Sequence, residues 1–559
     1  MTSSLAVYLP AGPMISAARP FGRMVANQEL YTALLRDGGY ERLDFLTQEP
    51  TTAQDLRAAL GVQAGGPELT AVPIITSKAG AAARAAGTLL RGDPDLHGLA
   101  WERRRLGAET AYSLAGLVHT LGPPSMRQKI AQAVTAPTQA WDAIICTSPS
   151  VRQVLERMLD GHADFLAERF RGVPPARPQL PVIPLGVDAP ALAALADRPA
   201  VRASRRDEYG LAEDDSLILW VGRLSFFEKA YPQPMFRAVQ EAARASGKRV
   251  VFVMAGWFPN GEQDRTAYAE AAQAYAPDVD VRFEDGTDRA RLGELWAAAD
   301  IFLSLVDNVQ ETFGLTPVEA MAAGLPVVAS DWDGYRFTVR DSVDGFLIPT
   351  LGGPAGGIGE AIANPHLLQV ETYQSYVGTL AQATAVDVGR AARALGDLIA
   401  SPDLRRRMGA AGRARAAATF DWPVVVGQIK ALFGDLAERR AAAGQPAASR
   451  HRLNPVNGDP FVDFAPFATV VLTPSTRLSV RPGAGPDDIA RAHDVALDRK
   501  AAYHRTPLPL TFQAFGLIAR GEAATVAEVT ARFATDVQGA MQLTLLWLCK
   551  LGILEWRAG

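Results

Sequence analysis

Two successive series of short β-like runs, each separated by stretches with helical period, restrict this chain to parallel α/β architectures. In the first series Leu5 to Leu9, Leu43 to Leu46, Val72 to Ile75, Gly116 to His119 and Ala143 to Thr147 read as strands, and Asn27 to Leu35 carries the first helical pattern. The turn-rich VIPLGVD, Val182 to Asp188, closes that series. The second comprises Leu217 to Val221, Val250 to Ala255, Val281 to Phe283, Ile301 to Leu305 and Val327 to Ser330. Parallel strands need long, usually helical crossovers, and this alternation supplies them. At 559 residues the chain exceeds one ordinary core, so two or three are expected.

The expected layout is a Rossmann-like domain over residues 1–188, a second over 189–400, closing helices over 401–440, a linker over 441–458 and a small module over 459–559. The linker reading rests on the composition of AAAGQPAASRHRLNPVNG. In the last segment Thr469 to Leu472 and Leu478 to Arg481 are expected to pair as a hairpin. Helical patterns near Phe512 to Ala519, Val526 to Phe533 and Val537 to Leu551, then a strand Ile553 to Trp556, suggest a winged-helix-like α+β module.

A formal charge of -4 gives no global attraction to nucleic acid or to an anionic membrane surface, so an acidic ligand must be held locally. Two cysteines about 400 positions apart, Cys146 and Cys549, do not read as a disulfide framework, and no leader-like segment or apolar run of about 18 residues is evident. A cytoplasmic protein without a transmembrane span is the expectation.

The chemistry concentrates in ADIFLSLVDNVQETFGLTPVEAMAAGLPVVAS, residues 299–330: strand, polar loop, a helix from near Thr316-Pro317 to Gly324, then strand. A helix start offers unpaired N–H groups and partial positive charge to a diphosphate, and Gly314 lets backbone approach closely. Glu311 and Glu319 would enter one cleft from the loop and from the first helical turn. Thr316 with Glu319 also spells a capping box, the purely structural alternative for that carboxylate. Upstream, WVGRLSFFEKAYP places Gly222 and Arg223 at the end of a strand, with Lys229 six residues on, and two cations there suit a diphosphate leaving group.

Glu311, seven residues, Glu319 around Phe313-Gly314, preceded by Gly222-Arg223 and Lys229, resembles the GT-B retaining glycosyltransferases of family 4, the glycosyl transferases group 1. VIPLGVD, Asp344-Gly345-Phe346 and Phe420-Asp421-Trp422 extend the resemblance over about residues 180 to 425. It implies a GT-B fold with the acceptor on residues 1–188 and a nucleotide-diphosphate sugar on 189–400. Glu311 would then contact the donor sugar, Glu319 the ribose, and Arg223 and Lys229 the pyrophosphate. Gly222, Phe313, Gly314, Leu315 and Thr316 would form the remaining donor contacts. His119 matches a histidine beside the donor sugar, and Gly12 in the first loop, with Arg19, Gly22 and Arg23 downstream, resembles the family's glycine-bearing loop without its usual Gly-Gly pair. The catalytic set would be Glu311, His119, Arg223 and Lys229, with no metal and no cofactor beyond the donor. One departure stands out: Trp332-Asp333-Gly334-Tyr335-Arg336 replaces the family's Gly-Gly-then-Glu loop, so donor identity does not carry over.

The implied partners are a nucleotide sugar and a glycan, lipid-linked glycan or protein acceptor, with peripheral membrane contact left open. Two other readings remain at this stage, a GT-B sugar-nucleotide epimerase and a sugar-nucleotide-sensing DNA-binding regulator. Residues 508–559 balance four cations (Arg520, Arg532, Lys550, Arg557) against four anions (Glu522, Glu528, Asp536, Glu555), and the last helix is largely apolar. Nucleic acid is therefore not expected there, and packing, homo-oligomerisation or acceptor recognition are.

Overall fold

The computed structural model describes residues 3–11, 22–62, 66–173, 177–444, 446, 449, 451–500 and 502–557. The chain divides into two compact units, Met1–Arg452 and Leu453–Gly559.

The first unit holds two six-stranded sheets, parallel throughout. One comprises β1 (Ser4–Leu9), β2 (Arg42–Thr47), β3 (Glu68–Pro73), β4 (Thr88–Arg91), β5 (Ser113–Leu117) and β6 (Ala143–Ile145), in the order β3-β2-β1-β4-β5-β6. The other comprises β7 (Ser216–Val221), β8 (Val250–Gly256), β9 (Asp280–Asp285), β10 (Ile301–Ser304), β11 (Val327–Ser330) and β12 (Gly345–Ile348), in the order β12-β11-β10-β7-β8-β9. Both repeat the order in which the sheet grows one way from its first strand and then the other. Ligands in such sheets bind beyond the strand C-termini at the reversal, here beside β1 and β4 and beside β7 and β10. The central strands are buried on both faces, as helix-covered parallel sheets require: every residue of β8, β10 and β11 is buried.

Several expectations need correction. β4 and β12 were not among the expected strands. β4, Thr88-Leu89-Leu90-Arg91, has only two apolar residues between polar ones and lies after an alanine-rich helix, and β12 is an edge strand with Phe346 and Leu347 only partly buried, so neither shows the apolar run of its neighbours. The strand expected over Val72 to Ile75 is Glu68–Pro73, because Pro73 ends the ladder and the chain turns at Ile74. The one expected over Gly116 to His119 ends at Leu117, which leaves His119 in the following loop.

The crossover between the sheets joins two motifs that lie some 235 positions apart. Val187 N–H donates to the Phe420 carbonyl at 2.8 Å, Trp422 N–H donates to the Val187 carbonyl at 3.1 Å, and Ala189 N–H donates to Asp421 Oδ1 at 3.1 Å. Gly186 lies against the Trp422 ring, where a β-carbon has no room. From there the helix Trp422–Ala442 returns to the first sheet, buries Val425, Val426, Ile429 and Leu436, and packs on the helix Gly22–Asp37. The two sheets are thus tied at one edge by backbone hydrogen bonds, with the strand C-termini free to border a cleft.

The first unit also holds the antiparallel pair β13 (Thr350–Leu351) and β14 (Ala385–Val386). The second unit, Leu453–Gly559, is built on β15 (Arg477–Val480), paired antiparallel with β16 (Leu554–Arg557), and on the helices Pro486–Asp494, Leu508–Ala519, Val526–Thr530 and Gln538–Lys550. Residues Thr469 to Leu472 form no strand, so the expected hairpin is absent. Thr473 N–H donates to Thr476 Oγ1 at 2.9 Å, and Pro474 follows, a turn that separates this segment from β15. The terminal strand takes the vacant place beside β15. Met541, Leu545 and Leu548 of the apolar last helix are fully buried. Among the described residues no helix is long and apolar enough to cross a membrane.

Candidate functional site

The loop after β10 supplies the first part of the site. Its last residues lead into the helix Leu315–Ala322, whose N-cap Gly314 has φ 97 and ψ 66, a left-handed conformation that disfavours side chains. A β-carbon at Gly314 would also run into the Tyr335 ring. Thr316 makes no cap bond. The side chain that closes this helix start comes from Glu311, whose Oε1 accepts the backbone N–H groups of Thr312, Phe313 and Gly314 at 3.2, 3.3 and 3.0 Å. The capping-box alternative for Thr316 and Glu319 therefore falls. With Gly314 as N-cap, Thr316 is the second helical residue and Glu319 the fifth, each two residues later than the box requires. Pro317 is likewise not at the very start of the helix.

Glu311 Oε2 faces Lys229 Nζ at 3.3 Å. Burial pushes the Glu311 carboxyl up, but Lys229 and the loop amides outweigh it and hold the group below its ordinary value. One carboxylate thus fills a pocket made of an ammonium and three amide N–H groups, which is the donor set of an oxyanion site.

The loop after β7 brings the second part. Gly222 continues β7, and its carbonyl lies so close to Gly256 that no side chain fits at Gly256. Arg223 Nη1 pairs with Glu228 Oε2 at 2.5 Å, and its guanidinium lies 5.9 Å from the Trp257 ring centroid. Both cations expected at this edge are present, each with a carboxylate beside it. The two loops are cross-braced. Asn308, fully buried, donates from Nδ2 to the Phe227 carbonyl at 2.6 Å, and Asp307 accepts Tyr231 N–H at 3.2 Å. Burial raises the Asp307 carboxyl to about 8, against hydrogen bonds from Tyr231 and its own backbone. Near neutral pH it is therefore largely an uncharged acid.

The first sheet contributes the loop after β5. His119 Nε2 lies 2.9 Å from Asn27 Oδ1, and Asn27 Nδ2 donates to the Gly92 carbonyl at 2.9 Å. Asn27 Oδ1 is thereby the acceptor, and Nε2 carries the ring proton. Burial, followed by the charge of Arg23, lowers the imidazole to about 4, so His119 is neutral at physiological pH. Thr312 ties the sheets together here: its Oγ1 donates to the His119 carbonyl at 2.9 Å, and its carbonyl accepts Thr147 Oγ1 at 3.1 Å.

Glu319 lies in the second turn of the helix Leu315–Ala322, within reach of the charges of Glu29, Arg289 and Lys229. Burial and the facing carboxylate of Glu29, on the helix Gly22–Asp37, raise it to about 7 against Arg289 and Lys229. Lys229 thus pairs with Glu311 and its charge also reaches Glu319, while the loop carrying His119 is bonded through its backbone to Thr312, next to Glu311. Phe313 does not join these groups: this side chain is 1% exposed and packs edge-on against Phe420 at 5.8 Å. Leu315 and Thr316 sit at the helix start, partly buried, and Gly12 lies outside the described residues.

Sequence reasoning passed over Asp307, Asn308, Thr312 and Asp333. Asp333 has a left-handed φ of 41, lies 3.4 Å from Ser148 Oγ, and is raised to about 7 by burial and then by Glu311. The available signal was the loop that departs from the family pattern: Gly334 packs on the Phe313 backbone and Trp332 Nε1 donates to the Asn308 carbonyl at 3.1 Å.

Residues 201–354, which carry Arg223, Lys229, Glu311 and Glu319, match the family model described as glycosyl transferases group 1. The chain carries a group 1 glycosyl transferase segment. Among similar proteins, the D-inositol 3-phosphate glycosyltransferase of Nocardia farcinica is 31% identical over 210 residues, covering 36% of this chain and 45% of that one. The protein of the same name from Mycobacterium tuberculosis (strain F11) is 29% identical over 314 residues, 54% of each chain. The chain thus spans about half the length of the curated relatives it matches. Anabaena Alr3699/HepE, solved in complex with UDP-glucose, superposes with a TM-score of 0.50 at 14% identity, over 77% of this chain and 99% of that one. The same protein solved with UDP and glucose gives a TM-score of 0.50 at 15% identity. The group 1 segment therefore sits in a GT-B fold, two parallel-sheet domains bordering a cleft.

Proposed function

We propose that the chain transfers a sugar from a nucleotide-diphosphate sugar to an acceptor, with retention of configuration. The observation that carries this reading is the Glu311 carboxylate seated on Lys229 and on three amide N–H groups at the β7/β10 reversal. That pocket is built for anionic oxygen. Glu311 occupies it, and a donor would share it: sugar hydroxyls donating to Glu311, phosphoryl oxygens drawing on Lys229, Arg223 and the helix start. The names of the relatives agree with a glycosyltransferase, and HepE was solved with UDP-glucose.

In this reading the cations stabilise the charge that grows on the departing diphosphate, and closure through Thr312 keeps water from the reacting centre. His119, neutral and held by Asn27, serves as a hydrogen-bonding wall beside the sugar rather than as a charged acid. The chemistry calls for no metal, since fixed cations perform the neutralisation. The acceptor would approach from the first sheet; its class is a glycan, lipid-linked glycan or protein. Incubation with a panel of nucleotide sugars, with and without cell extract as acceptor, tests the activity. Acceptor-dependent release of nucleoside diphosphate is expected, and absence of both binding and turnover across the panel overturns the reading. Consumption of the nucleotide sugar without acceptor would instead indicate an epimerase.

Glu319 gives a pH signature. Ribose hydroxyls donate to the ionised carboxylate, so donor binding favours the charged form and releases a proton. With the free carboxyl at about 7, donor affinity rises about tenfold between pH 6 and pH 8. Glu319→Gln flattens that dependence, as titration calorimetry at three pH values would report.

A further inference from the structure

Between β13 (Thr350–Leu351) and β14 (Ala385–Val386), which pair antiparallel, the chain makes an excursion containing the helices Gly357–Leu367 and Tyr373–Gln382. The pairing of Leu351 with Ala385 clips its base. The second helix packs onto the loop after β7. Gly378 faces Phe227, where a β-carbon would stand 3.1 Å from the Phe227 Cβ, and Gln374 Nε2 lies 3.5 Å from Glu228 Oε1. The His366 ring stacks on Tyr376 at 5.1 Å, which joins the two helices.

Tyr373, at the start of the second helix, turns its hydroxyl toward the loop after β5. A β-carbon on Gly122, in the loop after β5, would stand 2.5 Å from Tyr373 Oη and 3.2 Å from Gln310 Cγ. The hydroxyl therefore sits between the first sheet's loop and the residue that precedes Glu311, and only a glycine at 122 admits it. Among the described residues this buried hydroxyl has no hydrogen-bond partner. The charges of Glu228 and Arg223 both act on it. A buried hydroxyl left unsatisfied carries a cost of about 1–3 kcal/mol, which a polar ligand atom would remove.

We propose that the Tyr373 hydroxyl donates a hydrogen bond to an oxygen of the bound nucleotide-diphosphate sugar, so that the excursion forms one wall of the donor site. Resting on the transferase reading above, this adds to the donor site a residue from outside the sheets and their loops. The test uses Tyr373→Phe and Gly122→Ala, singly and together, in the full chain. The probes are the panel nucleotide sugar that the wild-type protein turns over and its nucleoside diphosphate, each followed by calorimetry alongside thermal melting. Tyr373→Phe is expected to weaken nucleotide-sugar binding about tenfold, as loss of one hydrogen bond to a polar ligand does, with the melting midpoint unchanged or raised. An equal loss for the nucleoside diphosphate assigns the bond to a phosphoryl oxygen, and a loss confined to the nucleotide sugar assigns it to the sugar. Gly122→Ala should weaken binding in the wild-type background and cost less beside Tyr373→Phe, where the added methyl meets no hydroxyl. Binding by Tyr373→Phe within twofold of wild type overturns the inference and leaves the transferase reading standing. A wild-type protein that binds no nucleotide sugar overturns both.

Discussion

Lys229→Ala is expected to lower kcat/KM for the proposed sugar transfer about a thousandfold while the protein stays folded, the upper end of what one fixed electrostatic stabiliser contributes. Lys229 is 39% exposed on its side chain, so its pairing with Glu311 adds little to stability. Its loss acts twice on the site. The departing diphosphate loses one of its two cations, and Glu311 loses the charge that holds its carboxyl down against burial. The sign of the second effect follows from the direction of the shift. Glu311 is held low in the folded wild-type protein, so its ionised form persists above the ordinary carboxylate range and is lost only as pH falls below it. Without Lys229, burial dominates and the carboxyl titrates upward. The acid limb of the rate profile therefore moves toward neutral pH in Lys229→Ala, which initial rates from pH 5.5 to 8.5 would record. A variant as active as wild type at every pH would remove Lys229 from the site.

Asp142→Ala unfolds the first sheet at a temperature about 10 °C below wild type, from a loss of about 3–5 kcal/mol. Arg103 and Asp142 are both fully buried. Asp142 accepts Arg103 Nη1 at 2.6 Å and Nη2 at 2.7 Å, and it also accepts the backbone N–H groups of Leu114 at 2.8 Å and Gln139 at 2.7 Å. Arg103 Nη1 donates in addition to the Tyr112 carbonyl at 2.9 Å. One carboxylate thereby ties the helix His97–Arg105 to the start of β5 and to the turn before β6. Removing it leaves a guanidinium and two amide N–H groups buried without their acceptor, which costs more than the pair itself contributes. Replacing both partners, Arg103→Met with Asp142→Leu, should recover part of the loss, since apolar substitutes leave no orphaned charge. Differential scanning calorimetry of the three proteins checks both statements.

Legibility in the sequence followed physical scale. Both α/β series showed in apolar runs because central parallel strands are buried on two faces, whereas β4 has only Leu89-Leu90 between polar residues and β12 is a partly exposed edge strand. The residues Arg223, Lys229, Glu311 and Glu319 could be picked out because each stands at a fixed offset from a strand end or a helix start. Their partners could not. That Glu311, rather than Thr316, closes the helix start depends on Gly314 taking a left-handed conformation. That Glu228 lies beside Arg223 depends on how a loop folds back. Asp307, Asn308 and Thr312 act through contacts between loops more than 75 residues apart in sequence, and Tyr373 reaches Gly122 from an excursion whose position no local pattern specifies.

The proposed donor site divides its labour: Glu311 for the sugar, the cations and helix start for the diphosphate, Glu319 for the ribose. Calorimetric titration of wild-type protein and Glu311→Ala with a turned-over nucleotide sugar and with its nucleoside diphosphate tests it most directly. Glu311→Ala is expected to lose its preference for the nucleotide sugar while nucleoside diphosphate affinity is kept or increased, because Lys229 and the three amides are freed. A Glu311→Ala protein that binds and transfers the nucleotide sugar as wild type does would contradict it.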